Sequence, residues 1–232
     1  MEDLRNKYKG NRIFIVGNAP SLKNTPLDKI KNEYSFGINR IGMMFKHTTW
    51  RPYFFFCATH RTLWSNEYKK DVIKAIEASS ISFIGSRIES TIGHNYSNVR
   101  YIECLHIGKE FSNPTSDWWY RDISDSKVSI YGQSLFGVMQ ISVYMGFNPI
   151  YILGIDGYKI TTGKDDTNHF DPNYELPEHR HTEEWFKDEF PRIENSHRLL
   201  NKYTKQMGVD VFDATVIPST SPYKKIKLEE VL

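Results

Sequence analysis

The sequence lacks the features that mark several special classes of protein. It has only two cysteines, and Cys57 and Cys104 both stand inside apolar runs, which excludes a disulfide framework and a four-cysteine metal site. Lys and Arg number 30 against 28 Asp and Glu, so the chain lacks the basic excess with which nucleic-acid-binding proteins neutralise phosphates. No apolar run approaches the roughly 20 residues that a membrane-spanning helix needs.

The missing signals also bear on where the protein works and how it is divided. The N-terminal stretch MEDLRNKYKG is charged and carries no apolar core, so we expect no signal peptide and a cytoplasmic protein. Peripheral attachment to a membrane and assembly into an oligomer are both compatible with this composition. Neither an internal repeat nor a linker divides the chain, and we predict one α/β domain over residues 1–232.

What the sequence does contain is an alternation of short apolar runs with helical periods. Seven runs are predicted as strands: RIFIVG, YSFGINR, YFFFCA, ISFIG, VRYIECL, PIYILGID and VDVFDA. They are continuously apolar, which is typical of a mostly parallel sheet with helices on both faces. The run from Gln133 to Met145 is apolar nearly all round and predicts a central, buried helix. In such α/β folds, ligands bind beyond the carboxyl ends of the strands.

Two stretches, residues 108–131 and 157–191, lose this periodicity and are rich in polar residues and proline. We expect them to be irregular and to act as lids or as parts of an acceptor site, because long loops are commonly functional. The first stretch contains SDWWYRD, with Trp118, Trp119, Tyr120 and Arg121. Its aromatic side chains either stack on sugar rings or lipid head groups, or form a hydrophobic plug over the edge of the sheet.

The first sign of a ligand is the loop GNAPSLKN, which follows the first strand directly. It lacks the spacing of a Walker A loop and the three glycines of the dinucleotide fingerprint. Gly17 permits a tight turn, Asn18 offers a side-chain donor, and Ser21 stands beside free backbone N–H groups. Such a loop can hold the ribose or phosphate of a nucleotide, although an ordinary strand-to-helix turn has the same pattern.

Three segments in this order resemble a known family: IVGNAPSLKN, FGINRI and QSLFGVMQISVYMGFNPIYILGIDGY. They are similar to the core of the small bacterial CMP-sialate-dependent sialyltransferases. They are closer still to a wider group that comprises the MptE-like and motility-accessory-factor proteins, which are common among surface-polysaccharide genes. The later motifs NHFDPNY and FDAT also resemble that wider group. The resemblance covers residues 12–217 and implies a Rossmann-like glycosyltransferase fold, a nucleotide-sugar donor and an inverting reaction without metal or other cofactor.

The resemblance also implies which residues form the site. The nucleotide-binding residues that it implies are Gly17, Asn18, Ser21, Asn39, Ser134 and Asp156. Tyr158 matches a tyrosine whose hydroxyl assists the departing phosphate. Two positions depart from the sialyltransferases: Tyr131 stands where they have an arginine, and Pro191 lies near the place of their catalytic histidine. Sialic acid as the donor sugar and a base at that place are therefore not implied.

Glycosyl transfer must stabilise the charge that grows on the departing phosphate and must remove a proton from the acceptor hydroxyl. Free N–H groups at the helix start Gln133–Ser134, together with Tyr158 and Lys164, are predicted to serve the phosphate. Histidine is the natural base near neutral pH, and we predict His169 for this role ahead of the two histidines of HRHTEE. The alternative is that His169 is an ordinary histidine of a surface loop.

Other clusters leave alternatives open. The segment HRHTEE places His179, His181, Glu183 and Glu184 close together, and such side chains can ligate zinc or manganese. Their spacing matches no standard site and the sequence has no Asp-x-Asp donor-metal motif, so we predict no metal. His60 and Arg61, after the third strand, either bind a phosphate or carboxylate or begin a solvated helix.

The function predicted is a glycosyltransferase of surface-polysaccharide assembly. Its partners would be a nucleotide-activated sugar, a CMP-sugar by the resemblance, and a glycan or glycolipid acceptor. One alternative is pyrophosphate transfer from ATP to a hydroxymethylpterin, as in MptE-like relatives, with Mg²⁺ held by Asp156, Asp165 and Asp166. A further alternative is a non-catalytic nucleotide-binding module in a polysaccharide complex.

Overall fold

The computed structural model describes residues 1–59, 65–106, 119, 122–131, 133–157, 168–176, 182–217 and 221–232, with residue 186 described by its backbone alone. Within these residues nine strands form one sheet, and every neighbouring pair runs parallel. The strands are β1 (Ile13–Val16), β2 (Ser35–Ile38), β3 (Phe54–Cys57), β4 (Ile81–Gly85), β5 (Val99–His106), β6 (Lys127–Ile130), β7 (Ile150–Leu153), β8 (Val211–Asp213) and β9 (Lys224–Lys225). The α-helices in the same part of the chain are α1 (Asn66–Ala78), α2 (Glu89–Ile92), α3 (Ser134–Tyr144) and α4 (Glu183–Gln206). Short 3-10 helices lie at Glu2–Leu4, Pro20–Asn24, Leu27–Ile30, Asn39–Lys46, Ser86–Ile88 and Leu228–Glu230.

The central strands are buried on both faces, as their continuously apolar sequences predict. Alternate residues of β1 belong to two separate cores: Ile13 and Ile15 pack on the side of α3 and α4, whereas Phe14 and Val16 pack on the side of α1. Since side chains alternate across a strand, each face of the sheet needs its own layer of helices. The predicted fold class, a Rossmann-like α/β sheet covered on both sides, is confirmed.

The two best-predicted helices form for the reasons that their sequences suggest. α1 begins at Ser65, whose hydroxyl accepts the N–H of Tyr68 at 3.1 Å, and it buries Tyr68, Val72 and Ile76 on one stripe. α3 is buried nearly all round and is followed by Gly146, whose φ of +88° ends the helix. None of the helices in the described ranges combines the length and the apolar character that crossing a membrane requires.

The structure corrects the extents of both stretches that were expected to be irregular. Strand β6 lies within residues 108–131, and α4 begins within residues 157–191. β6 is only four residues long, and it is stabilised by packing Val128 and Ile130 into the core beside α3. α4 begins where Thr182 accepts the N–H of Trp185 at 3.2 Å, and it continues through Pro191, which was expected to lie outside a helix. The lid role of the remaining residues stays a prediction.

The order of the strands defines where a ligand can bind. It runs β6-β5-β4-β3-β2-β1-β7-β8-β9 across the sheet. The chain therefore builds outward from β1 to β6 and then returns to add β7 on the other side of β1. In open α/β sheets the crevice beyond the carboxyl ends of two such strands is a topological switch point, where ligands bind. Here that point lies between β1 and β7.

Candidate functional site

A solvent-open cavity lies at the switch point, beyond the carboxyl ends of β1, β2 and β7. The strand exits line its base, and the start of α3 and the middle of α4 supply further walls. Residues 168–169, Tyr174 and the segment Ser221–Pro222 complete the lining. Its volume is about 1110 Å³ including the open mouth.

At the exit of β1 the backbone passes very close to the exit of β7. The N–H of Gly17 donates to the carbonyl of Leu153 at 2.8 Å, and the N–H of Ala19 donates to that of Gly154 at 3.0 Å. A Cβ atom on Gly17 would stand 2.4 Å from the carbonyl oxygen of Gly154. Glycine is therefore required at position 17 because the exits of β1 and β7 approach each other closely. This close approach forms the base of the cavity.

Asn18 links the exit of β1 to the exit of β2. Its Nδ2 donates to the carbonyl oxygen of Ile38 at 2.9 Å. Its Oδ1 is buried and accepts no hydrogen bond from the described part of the chain. A buried acceptor without a donor costs roughly 1–3 kcal/mol, so the cavity favours an occupant that offers an N–H or O–H group here.

Asp156 and Ser21 form the adjoining edge of the cavity, but only Asp156 lines it. The backbone N–H of Ser21 donates to Asp156 Oδ2 at 2.8 Å, while Asp156 Oδ1 is a second buried acceptor that no described residue serves. The Ser21 side chain is 3% exposed and lies behind the lining. The backbone of Ser21 therefore orients the Asp156 carboxylate, and direct contact of Ser21 with a nucleotide stays a prediction.

Asn39 and Ser134 meet across the cavity from different elements. Asn39 directly follows β2 and has a φ of +54°, a left-handed conformation that asparagine tolerates better than most residues. Its Nδ2 lies 3.4 Å from the Oγ of Ser134, the first residue of α3. The residue before α3, Gln133, makes no side-chain cap, and its amide group donates instead to Ser196 at 2.7 Å. The first N–H groups of α3 are therefore available to an anion in the cavity.

His169, the predicted base, also lines the cavity. Its ring stacks on that of Tyr174, with the ring centroids 3.9 Å apart and an angle of 7° between the planes. The next residue, Phe170, donates its N–H to the carbonyl of Asn18 at 2.9 Å. The motif NHFDPNY is thus attached directly to the loop GNAPSLKN. Burial raises the pKa of the Tyr174 hydroxyl well above its usual value.

A second histidine, which was not predicted as a base, also lines the cavity. His197 lies on α4, is 8% exposed, and shares a hydrogen bond between its Nδ1 and the Tyr223 hydroxyl at 3.2 Å. Burial lowers its pKa to about 4, against a smaller opposing effect of Asp213. The sequence does indicate that this histidine is buried, because it belongs to one helix face with three- and four-residue spacing. The residues of that face are Ile193, His197, Leu200 and Thr204, and all are buried.

The motif FDAT stabilises the part of the structure that packs against His197. Asp213 is 1% exposed, and its carboxylate accepts the N–H of Thr215 at 2.9 Å, the hydroxyl of Ser221, and Lys225 Nζ at 2.9 Å. Ser221 lines the cavity, and Tyr223 follows two residues later. The buried carboxylate therefore fixes the segment that brings the Tyr223 hydroxyl to His197, and burial raises the pKa of that hydroxyl.

The remaining predicted residues lie partly outside and partly inside the described ranges. Those outside the described residues are His60, Arg61, Trp118, Tyr120, Arg121, Tyr158, Lys164, Asp165, Asp166, His179 and His181. Glu183 and Glu184 are exposed in the first turn of α4, where the positive end of the helix dipole stabilises their carboxylates. Among the described residues, no group of three or more His, Cys, Asp or Glu side chains is arranged to hold a metal ion.

Trp119 and Tyr131 are structural rather than exposed. Trp119 is 5% exposed and packs against Phe136 and Tyr203, with ring centroids 6.1 and 5.5 Å away. Of the two interpretations of SDWWYRD, the buried plug therefore holds for this tryptophan. Tyr131, which stands in place of the sialyltransferase arginine, is 2% exposed, lies beneath the Arg192 guanidinium and accepts a hydrogen bond from Asn195 at 3.3 Å.

Comparisons with known proteins support the fold through structure alone. No family model matches the sequence, and no curated protein matches it. The structure resembles the MAf glycosyltransferase from Magnetospirillum magneticum AMB-1 with a TM-score of 0.57 and 10% sequence identity, over 99% of this chain and 37% of that chain. It also matches the sialyltransferase CST-II in complex with trisaccharide acceptor and CMP, with a TM-score of 0.48, 12% identity, and coverage of 87% and 80%. The chain spans little more than a third of the length of the MAf glycosyltransferase.

Proposed function

We propose that this protein is a glycosyltransferase that takes a sugar from a nucleotide-activated donor, a CMP-sugar, and transfers it to a glycan or glycolipid acceptor. The observation that carries the proposal is one cavity at the switch point, lined by Asn18, Asn39, Ser134 and Asp156. These are residues that the family resemblance implies for nucleotide binding. The fold shared with the MAf glycosyltransferase supports the same reading, and the resemblance to sialyltransferases supports CMP.

The chemistry of the lining is complementary to a nucleoside phosphate. Asn18 Oδ1 and Asp156 Oδ1 are acceptors that no described residue serves, and ribose hydroxyls or a base amino group would supply the donors. The uncapped start of α3 supplies backbone N–H groups for a phosphate. The nucleoside would therefore lie along the strand exits, with its phosphate towards Ser134.

The reaction proposed is a single displacement, which inverts the anomeric centre. The bond from the anomeric carbon to the phosphate oxygen breaks, and the electrons leave with the nucleotide, while an acceptor oxygen forms the new bond from the other side. The α3 N-terminus and Tyr158 would stabilise the departing phosphate in place of a metal ion. His169 or His197, both in the lining, would take the proton of the acceptor hydroxyl.

Nucleotide binding is tested first, by thermal unfolding with CMP, CDP, UDP, GDP and ATP, the last with and without Mg²⁺. At a concentration of CMP one hundred times its Kd, the stabilisation is about 2.7 kcal/mol, which raises the Tm by roughly 5–10 °C for a chain of this size. Asn39→Gly removes the side chain without straining the left-handed backbone and should abolish most of this shift. Asn24→Gly, at an exposed position outside the cavity, is the matched control and should keep it.

The outcomes separate the proposal from its alternatives. No response to any nucleotide would refute it. A response to ATP that needs Mg²⁺, together with consumption of ATP in the presence of a hydroxymethylpterin, would favour pyrophosphate transfer. Binding of CMP without release of CMP from any CMP-sugar, with or without glycan acceptors, would favour a binding module.

Release of CMP from CMP-sugars also identifies the base. Removing a general base typically costs a factor of 10² to 10⁴ in rate, so His169→Gln and His197→Gln should differ sharply if one of them acts. Tyr158→Phe should slow the reaction without weakening CMP binding, because its hydroxyl is assigned to the leaving phosphate. Equal rates in all three variants and the wild type would refute these assignments.

A further inference from the structure

Arg40, directly after the cavity residue Asn39, is a buried cation with an unusual set of partners. Its side chain is 3% exposed, and charged side chains are rarely buried to this degree unless they are paired. Nε and Nη2 donate to Asp71 Oδ2 of α1 at 2.9 and 2.7 Å. Asp71 itself is 7% exposed, so the two charges stabilise each other away from solvent.

The other donors of Arg40 all reach one segment, residues 173–174. Nη1 donates to the carbonyl oxygens of Asn173, at 3.2 Å, and of Tyr174. The backbone N–H of Arg40 donates to the Tyr174 hydroxyl at 3.2 Å, and the guanidinium lies 5.6 Å from the centroid of the Tyr174 ring. An ion pair alone would need only Asp71. The planar, five-donor guanidinium is what allows one side chain to bind both partners.

Residues 173–174 contact His169, which lies a few residues earlier in the chain and lines the cavity. Tyr174 presents one face of its ring to His169, in the stack described above, and its hydroxyl to Arg40. On the other side of Arg40, Asn39 keeps a left-handed backbone, which costs free energy unless the neighbouring residues hold it. Arg40 is therefore the link between the Asn39 conformation at the β2 exit and the placement of His169.

We propose that Arg40 is a positioning residue that couples the nucleotide subsite at Asn39 to His169 through Tyr174. The motif NHFDPNY then has a definite role: its tyrosine locks onto the buried arginine and holds the histidine in the cavity. The part of the inference that concerns nucleotide affinity rests on the proposed function. The part that concerns the coupling of the two residues stands on the contacts alone.

The first test uses Tyr174→Phe, a mild change that deletes only the hydroxyl. The phenylalanine ring keeps the stack on His169 and the contact with the guanidinium, while the Arg40 N–H loses its acceptor. We expect CMP to bind about fivefold more weakly by calorimetry, the effect of one net hydrogen bond. The His169 ring-proton resonance, identified by its loss in His169→Gln, should keep the upfield position that stacking on an aromatic ring produces.

The second test uses Asp71→Asn, because Asp71 binds Arg40 but is not among the residues that line the cavity. Weakening its hold on Arg40 should shift the NMR resonances of both the Asn39 side-chain amide and the His169 ring. Glu33→Gln is the matched control, since Glu33 pairs with Arg12 at 2.7 Å outside the cavity. It makes the same carboxyl-to-amide change and should leave both resonances in place. Urea unfolding of each variant verifies that the folded state is being measured.

The outcomes distinguish this inference from the proposed function. If Asp71→Asn is folded and leaves the resonances of Asn39 and His169 unchanged, the coupling is refuted. If Asp71→Asn does not fold, Tyr174→Phe decides: unchanged CMP affinity refutes the coupling, and weaker binding with the His169 resonance in place supports it. If the wild type binds no CMP, the proposed function fails. Tyr174→Phe then decides through the Asn39 amide resonance, which must shift if the coupling holds.

Discussion

Replacing His197 by glutamine is expected to remove an acid-dependent loss of stability from the protein. His197 is 8% exposed, and burial lowers its pKa to about 4, whereas a histidine in the unfolded chain titrates near 6.5. Between these two pH values, the His197 ring is protonated in the unfolded chain but stays neutral in the folded protein. Stability therefore falls as the pH decreases from about 6.5 towards 4, and the full contribution is present only above that window.

The magnitude follows from the two pKa values. The difference of about 2.5 units corresponds to about 3 kcal/mol once the pH is below both values, and to about 2 kcal/mol between pH 7 and pH 5. His197→Gln cannot titrate at this position. The stability advantage of the wild type over the variant should therefore shrink by about 2 kcal/mol as the pH is lowered from 7 to 5.

Urea unfolding at pH 7, 6 and 5 measures this difference directly. His47→Gln, at an exposed position, is the control and should follow the wild-type profile. NMR titration of the His197 ring gives the folded pKa independently. Parallel profiles for wild type and His197→Gln, or a measured His197 pKa near 6.5, would refute the reasoning, because the ring would then not be withheld from water.

Three further changes test other parts of the structure. Trp119→Ala should cost about 3–5 kcal/mol in urea unfolding because it empties a packed aromatic site, and a loss below about 1 kcal/mol would contradict the plug. Gly17→Ala drives a methyl group against the Gly154 carbonyl, so we expect a loss of about 1–3 kcal/mol and of the CMP-induced thermal shift; an unchanged protein would contradict the close approach. Asn18→Asp sets a carboxylate oxygen against the Ile38 carbonyl in place of the amide donor, and calorimetry should show CMP affinity reduced by about tenfold or more, the equivalent of 1.4 kcal/mol.

Much of the fold could be predicted because it depends on local patterns. The continuously apolar runs around Phe14 and Phe55 can be buried on both sides only in a parallel sheet that helices cover on both faces. The helix α3, which is apolar nearly all round, must likewise pack between that sheet and other elements. Once the sheet is parallel, the strand exits must lie along one edge. Asn18, Asn39 and Asp156 were therefore brought together by topology, and the sequence was sufficient to foresee it.

The rest depended on tertiary contacts that leave little trace in the sequence. β6 is a short strand that pairs with β5, so four residues of KVSI carry no pattern long enough to identify it. The first half of α4 looks like a loop because of Pro191 and a polar outer face. The role of Arg40 was hidden altogether, since a lone arginine after a strand is normally solvated, and its partners come from α1 and from a segment more than 130 residues away.

The choice between the two histidines turns on what the donor does to their surroundings. With a pKa of about 4, His197 is neutral at pH 7 but a weak base, because an effective general base titrates near the working pH. Under the proposed function, a donor phosphate in the same cavity would add negative charge, which would favour the protonated ring and raise its pKa. If His197 is the base, binding of the donor should raise its pKa towards the working pH. The acid limb of the pH profile for CMP release from a CMP-sugar should then lie above pH 4 in the donor-bound enzyme. NMR titration of His197 with and without CMP measures the same shift. A His197 pKa that CMP leaves at about 4 would exclude it as the base and leave His169, which lines the cavity beside the loop GNAPSLKN.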